Sequence, residues 1–201
     1  MKKNNKIAKI MMLLIMLMVC MCVPVKIKAA TFKQGAYTYS TRTIGDWDKE
    51  KTTIYRQKKG GKKQKLVTIS GTVNKFNYIY DNKLFYERLY GGCVPPMRNT
   101  ECINLRNKKR TVIAKGYGIV GHRGRYAMVM NGDYYFTTPV YIVDVKTKKM
   151  RWIANDVLFQ SANIAKDGRI YYLKCVKRNY KTGNNKYTVY SCRKDGSGRK
   201  K

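Results

Sequence analysis

Lys166-Asp167-Gly168-Arg169-Ile170-Tyr171-Tyr172 is a polar turn feeding an extended, tyrosine-rich run, and the same arrangement recurs along the chain. Asp81-Asn82-Lys83 precedes Leu84-Phe85-Tyr86, Asn131-Gly132-Asp133 precedes Tyr134-Tyr135-Phe136, and Lys33-Gln34-Gly35 precedes Ala36-Tyr37-Thr38-Tyr39. Asp, Asn and Gly accept the left-handed backbone of hairpin turns, and β-branched and aromatic side chains fit a pleated sheet. No window places apolar residues at helical spacing, whereas short alternating runs recur between turn residues. The expected fold class is all-β.

Each copy carries a second element of strand, basic turn and strand. Thr53-Ile54-Tyr55-Arg56 leads through Lys58-Lys59-Gly60-Gly61-Lys62-Lys63 to Leu66-Val67-Thr68-Ile69. Cys102-Ile103-Asn104-Leu105 leads through Arg106-Asn107-Lys108-Lys109-Arg110 to Thr111-Val112-Ile113-Ala114, and Val140-Tyr141-Ile142-Val143-Asp144 through Lys146-Thr147-Lys148-Lys149 to Met150-Arg151-Trp152-Ile153-Ala154. Thr188-Val189-Tyr190-Ser191-Cys192 runs into a last basic tail, Arg193 to Lys201. The copies, at about 33–70, 73–115, 125–154 and 159–201, start roughly 40 to 50 residues apart, the period of a four-stranded propeller blade. Repeated four-stranded antiparallel blades forming a small or partial β-propeller are therefore expected, with a β-sandwich or meander as the alternative. Counting runs gives about 14 strands, short of the roughly 16 of a four-bladed ring. Imperfect closure, two chains completing one ring, or a shortened chain would each account for the deficit.

Strands of the type Lys83-Leu84-Phe85-Tyr86 and Arg169-Ile170-Tyr171-Tyr172, with the closing Val189-Tyr190-Ser191-Cys192-Arg193-Lys194-Asp195-Gly196-Ser197-Gly198, resemble the YWTD-type blades of LDL-receptor-like propellers and the TolB-like propellers of secreted Firmicutes proteins. The resemblance covers nearly all of residues 33–201. Receptor blades carry Trp-Thr-Asp where this chain has Tyr86-Glu87-Arg88 or Tyr172-Leu173-Lys174, so the bacterial branch is the nearer match. It implies a non-catalytic extracellular binding or surface protein.

Ahead of the repeats, Lys2, Lys3, Lys6 and Lys9 form a positive n-region, Ile10 to Val23 an apolar run, and Lys28-Ala29-Ala30 a small-residue exit. The run is shorter than the ~20 residues of a spanning helix, so a signal peptide over residues 1–29 is expected, with cleavage after Ala29 or Ala30. An uncleaved anchor, or a lipoprotein modified at Cys20, are the alternatives; Val19 departs from the small residue a lipobox wants. The mature domain would span residues 30–201, lie outside the cell, in solution or against the wall, and carry no membrane span. Mean hydropathy of -0.51 with 17 tyrosines excludes both a polytopic membrane protein and a disordered polar chain.

The chain has 43 Lys and Arg against 11 Asp and Glu, a formal net charge of +32, and residues 1–29 hold only six of those cations and no acid. The charge thus belongs to the repeats. It concentrates in the basic turns, which would lie on one face of a propeller as a broken rim: Lys58, Lys59, Lys62 and Lys63; Arg106, Lys108, Lys109 and Arg110; Lys146, Lys148 and Lys149; and the tail from Arg193. Such a rim is a candidate polyanion-binding surface acting through salt-sensitive point charges. Lysine that merely solvates exposed turns is the plainer reading. The partners expected are an anionic cell-wall polymer or another envelope protein, with a further copy of the chain completing the ring. Specific nucleic-acid recognition is not expected.

Four cysteines remain beyond residue 29, and their spacing favours two local hairpin disulfides, Cys93–Cys102 and Cys175–Cys192, the latter across a turn centred near residue 183. Four free thiols are the alternative; a zinc site is disfavoured because no C-x-x-C pair exists and His122 is the only histidine. No catalytic motif appears. His122 lacks a sequence-adjacent acid or nucleophile, Asp46-Trp47-Asp48-Lys49-Glu50 reads better as a polar loop than as a Ca²⁺ loop, and no G-x-S-x-G or phosphate loop is present. No catalytic residue, metal or cofactor is expected, the rival being a propeller hydrolase or lyase acting on wall or host polysaccharide.

Overall fold

The computed structural model describes residues 29–46, 49–91, 97–131, 137–179 and 183–201. Every element among them is a strand. Strands β1 (Thr31–Gln34), β2 (Tyr37–Ile44), β3 (Lys51–Lys58) and β4 (Lys63–Ser70) form one antiparallel meander. A second is built from β5 (Thr72–Tyr80), β6 (Lys83–Tyr90), β7 (Met97–Asn104) and β8 (Arg110–Lys115). A third comprises β9 (Gly118–Arg123), β10 (Tyr126–Met130), β11 (Thr137–Asp144) and β12 (Met150–Leu158). The last blade holds β13 (Asn163–Ile164), β14 (Ile170–Lys177) and β15 (Lys186–Cys192), and a Val157–Lys174 pairing links it to the third.

Strand counting thus fell short at the first blade, whose leading strand Thr31–Gln34 pairs with β2 from Thr31–Ser40 to Gln34–Tyr37. In the last blade Lys200 pairs Ser191 as an isolated bridge where a fourth strand would run. These four blades exclude the sandwich alternative.

The turn chemistry explains the meanders. Asp81 and Asn82, at φ 49° and 55°, make the two-residue β5–β6 hairpin whose twist matches its strands. The β7–β8 and β11–β12 turns are copies of each other. Asn104 Oδ1 accepts the N–H groups of Arg106 and Asn107 as Asp144 Oδ1 accepts those of Lys146 and Thr147. Leu105 N donates to Asn82 O, and Val145 N to Arg125 O. The third blade's counterpart of Asp81-Asn82 is therefore Gly124-Arg125. The stretch beginning at Asn131 instead joins the second and third strands, and residues 132–136 lie outside the described residues.

Alternation along the strands gives each inner blade two apolar faces. Leu84 and Tyr86 pack with Ile103 and Leu105 against Tyr39, Ile54, Leu66 and Ile69 of the first blade. Phe85, from the other face, packs with Tyr78, Cys102 and Ile113 against Ala127, Val129 and Val143 of the third. Met128 and Met130 face Ile164, Ile170, Tyr172 and Cys192 of the fourth. Fully burying such side chains contributes roughly 1.5–3 kcal/mol each before entropy is charged against it. Among the described residues no apolar cluster joins the fourth blade back to the first, so the blades form an open arc. Its outer faces differ: Val189 and Tyr171 are exposed apolar residues on the fourth blade, whereas Thr53 and Thr68 hydrogen-bond across the first.

The expected Cys175–Cys192 disulfide is not formed. Cys175 lies opposite Tyr187 and Cys192 opposite Ile170, a register centred on residue 181 rather than 183. That leaves the two five positions apart along the ladder, about 17 Å at ~3.4 Å per residue, well past the ~7 Å a disulfide spans. Both are free and buried, as is Cys102, which sits opposite Phe85 well inside β7. Its expected partner Cys93 lies outside the described residues.

Candidate polyanion-binding face

In an antiparallel meander the first and third turns leave the sheet at the same end, and here they also touch. Lys59 N donates to Ala36 O at 2.8 Å in the first blade, as the Leu105 and Val145 N–H groups do in the next two. In the fourth, Arg193 and Lys194 line one cavity with Asp167 and Gly168. Contacts also cross between blades: Lys146 Nζ lies 3.8 Å from Asp81 Oδ2, and Lys194 Nζ lies 4.6 Å from the centre of the Tyr126 ring. The basic turns of the second, third and fourth blades thus share one face.

At the third turns of the first three blades Lys58, Lys59, Lys62, Lys63, Arg106, Lys108, Lys109, Lys148 and Lys149 are all exposed, and none forms an ion pair among the described residues. Arg110 and Lys146 differ: Arg110 Nε lies 3.7 Å from the buried Glu101, and Lys146 faces Asp81. Lys63 rests over the Tyr55 ring at 4.4 Å.

Two cavities lie between the third and fourth blades, where Arg151 and Arg169 join Lys149, Arg193 and Lys194 of the basic turns. One cavity of about 550 Å³ is lined by Arg151, Arg169, Arg193 and Lys194 with Asp167 and Asp195. A second, of about 460 Å³, shares Arg151 and Lys194 and adds Arg125, Tyr126, Asp144 and Lys149. The carboxylates are already engaged. Asp167 accepts from Arg169 N and the Tyr171 hydroxyl, Asp195 from Ser197 N and Oγ, and Asp144 takes a two-pronged contact from Arg125 at 2.7 and 2.5 Å. The Arg125 guanidinium and the turn N–H groups hold Asp144 far below the usual carboxylate range, and the Ser197 contacts depress Asp195. Arg151 lies near the start of β12 and Arg169 just ahead of β14, both outside the lysine runs that mark the basic turns in the sequence.

Buried polar groups lie deeper. Glu101 is fully buried, accepts the Tyr86 hydroxyl at 2.8 Å and lies 2.9 Å from Arg88 Nε, an ion pair whose N–H is not aligned on the oxygen. On the opposite face Glu87 accepts Asn74 Nδ2 at 2.6 Å and presses its other oxygen against Gly118, where a Cβ would sit 2.0 Å from it. Glu101 ties β6, β7 and β8 within the second blade, whereas Glu87 reaches across to the third at Gly118. Tyr86, buried beside Glu101, has its phenol pushed far above the ordinary range and stays a donor.

His122 stacks on Tyr78 at 3.9 Å with the rings 6° from parallel, and Tyr78 stacks in turn on Phe85. One imidazole face is covered while its edge stays open to solvent, and the partial burial lowers its pKa below 6.5. Folding therefore favours the neutral ring: the contribution is complete above pH 6.5 and declines as pH falls through the folded value. An NMR titration of this single histidine should show a midpoint below 6.5, and Tyr78→Ala should move it back towards 6.5. An unshifted midpoint in the intact protein would refute the stacking. In the acidic loop Glu50 accepts the Thr72 hydroxyl at 2.5 Å, Trp47 and Asp48 lie outside the described residues, and among those described no group of three or more His, Cys, Asp or Glu could hold a metal ion. Cys102 is a buried thiol pushed up to about 11 by desolvation.

No family model matches the sequence, and no curated protein does. Solved structures do. The chain is similar to the β-propeller domain of the Trilobed protease from Pyrococcus furiosus, with a TM-score of 0.54 and 14% identity over 81% of this chain and 54% of that one. It is also similar to puromycin hydrolase (TM-score 0.54, 10% identity, 86% of this chain, 27% of that one) and to an acylaminoacyl peptidase (0.53, 11%, 86% and 32%). This chain spans about half the length of the first and a third or less of the others. At such identities the likeness is one of fold, and it places the chain among β-propellers of four-stranded antiparallel blades.

Proposed function

We propose that this chain is a non-enzymatic binding module, exported and held at the cell envelope, that captures anionic polymers on its basic turn face. The observation that carries the reading is the gathering of nine exposed cations, none in an ion pair among the described residues, from three different blades onto sheet ends of the same kind. The resemblance of the strands to YWTD-like and TolB-like blades, and the leader-like segment at residues 1–29, support the location. Cell-wall polymers bearing phosphate are the partner class that this face fits. Capture needs no catalytic residue, and of the described acids Glu50, Asp81, Glu87, Glu101, Asp144, Asp156, Asp167 and Asp195 each hold a partner. A hydrolase acting on polysaccharide would want a pair of carboxylates open to a channel.

Binding of the purified protein to isolated cell walls should weaken roughly tenfold or more between about 50 and 200 mM salt, because each neutralised phosphate releases counterions. Reversing Lys108, Lys109, Lys148 and Lys149 to Glu should abolish it while leaving the melting temperature nearly unchanged, since all four are exposed. Retention of wall binding by that variant, or binding indifferent to salt, would overturn the reading.

A further inference from the structure

We propose that the trough between the third and fourth blades is the specific seat of the polymer, and that it reads a linear phosphate chain by charge alone; this rests on the polyanion reading above. The two cavities share Arg151 and Lys194 in their linings, so a ligand extending from one to the other passes both cations. A single small anion would leave most of that path unfilled. Two of the trough's cations are held in place before any ligand arrives. Arg169 Nη2 donates to Ser191 Oγ and to Gly198 O, fixing its guanidinium at the wall, and Lys194 rests on Tyr126. Arg151, Arg169, Arg193 and Lys194 form no ion pair among the described residues, while the acids beside them have their oxygens engaged within their own turns.

The aromatic rings tell against a nucleobase or sugar as the recognised group. Tyr126 carries Lys194 at 4.6 Å and Arg125 at 6.0 Å, and the exposed Trp152 carries Arg199 at 5.0 Å. The rings act as platforms that steady cations. Nucleic-acid channels instead offer rings to successive bases. What remains is a row of positive charge matched to closely spaced tetrahedral oxyanions.

The test uses the whole protein and short-chain inorganic polyphosphate, followed by calorimetry at several salt concentrations. Arg151→Gln with Lys194→Gln should weaken binding at least tenfold and lower the slope of log affinity against log salt by about 1.4, at ~0.7 per lost phosphate contact. Neither side chain makes a hydrogen bond among the described residues, so the melting temperature should hold, and Arg151→Lys with Lys194→Arg should keep most of the affinity. If the Gln pair binds like the parent while reversal of Lys108, Lys109 and Lys148 abolishes binding, the trough is refuted and the broader reading stands. If the parent binds no polyphosphate and no cell wall, both fail. Tighter binding of poly-uridylate, or of a sulfated oligosaccharide, at equal charge would overturn recognition of phosphate by charge alone.

Discussion

Replacing Gly121 with alanine should cost about 3 kcal/mol, the upper end of what overpacking a well-filled interior does, and loosen the fourth blade from the third. The cause is local and steric. Gly121 is buried on β9, and a Cβ there would sit 2.6 Å from the carbonyl oxygen of Ala162 and 2.9 Å from the Cα of Asn163. Both are backbone atoms at the start of the last blade, so no rotamer change relieves the contact. Ala162, which must move, and Ile164, next to the displaced Asn163, belong to the apolar cluster joining the two blades. A urea titration would show the midpoint falling, and limited proteolysis should cut first beyond residue 158. Parent-like values of both would show that β9 and β13 do not approach so closely.

Truncating Glu101 to alanine should be as damaging by a different route. The substitution removes the acceptor of the Tyr86 hydroxyl and the counter-charge of Arg88, whose side chain is only 12% exposed. Breaking a buried ion pair from one side costs about 3–5 kcal/mol because the surviving charge stays desolvated. Arg88 keeps its contacts with Ser70 and its place over the Tyr90 ring, so it cannot swing out without further loss. For a domain of this size the melting temperature should drop by roughly 10 °C or more. Glu101→Gln, which still accepts from Tyr86 but leaves Arg88 unneutralised, should lie between the two. A melt of Glu101→Ala within a degree of the parent would refute a buried network.

The blades were legible because turn and strand chemistry are local. Asp81-Asn82 announces a hairpin whatever lies around it, and the paired turns at Asn104 and Asp144 declare their kinship through matching polar residues at fixed offsets. Register is less local, and there the reading slipped. Asn131-Gly132-Asp133 has the composition of a first hairpin turn yet joins the second and third strands. Cys175 and Cys192 flank a turn whose centre lies two residues from where composition placed it, enough to separate the sulfurs. The lysine turns could be read as a rim because they are contiguous in sequence. Arg151, Arg169 and Tyr126 meet only when two blades pack, and no spacing along the chain encodes that. The same holds for Glu87 and Glu101, acids whose partners come from neighbouring strands of their own blade and, for Glu87, from Gly118 of the next.

Among the described residues no apolar cluster ties the last blade to the first, and that changes how the molecule holds itself together. A closed ring is a loop of mutual constraints, in which no blade can leave without breaking two interfaces. An arc of four plates has three joints, and each end plate hangs by one. Cooperativity then becomes that of a short linear stack, strongest at the second and third blades and weakest at the ends. Because the trough is made from the third and fourth plates, a polymer lying across it ties an end plate to an inner one, and occupancy would be felt as stiffness at the end that frays most readily.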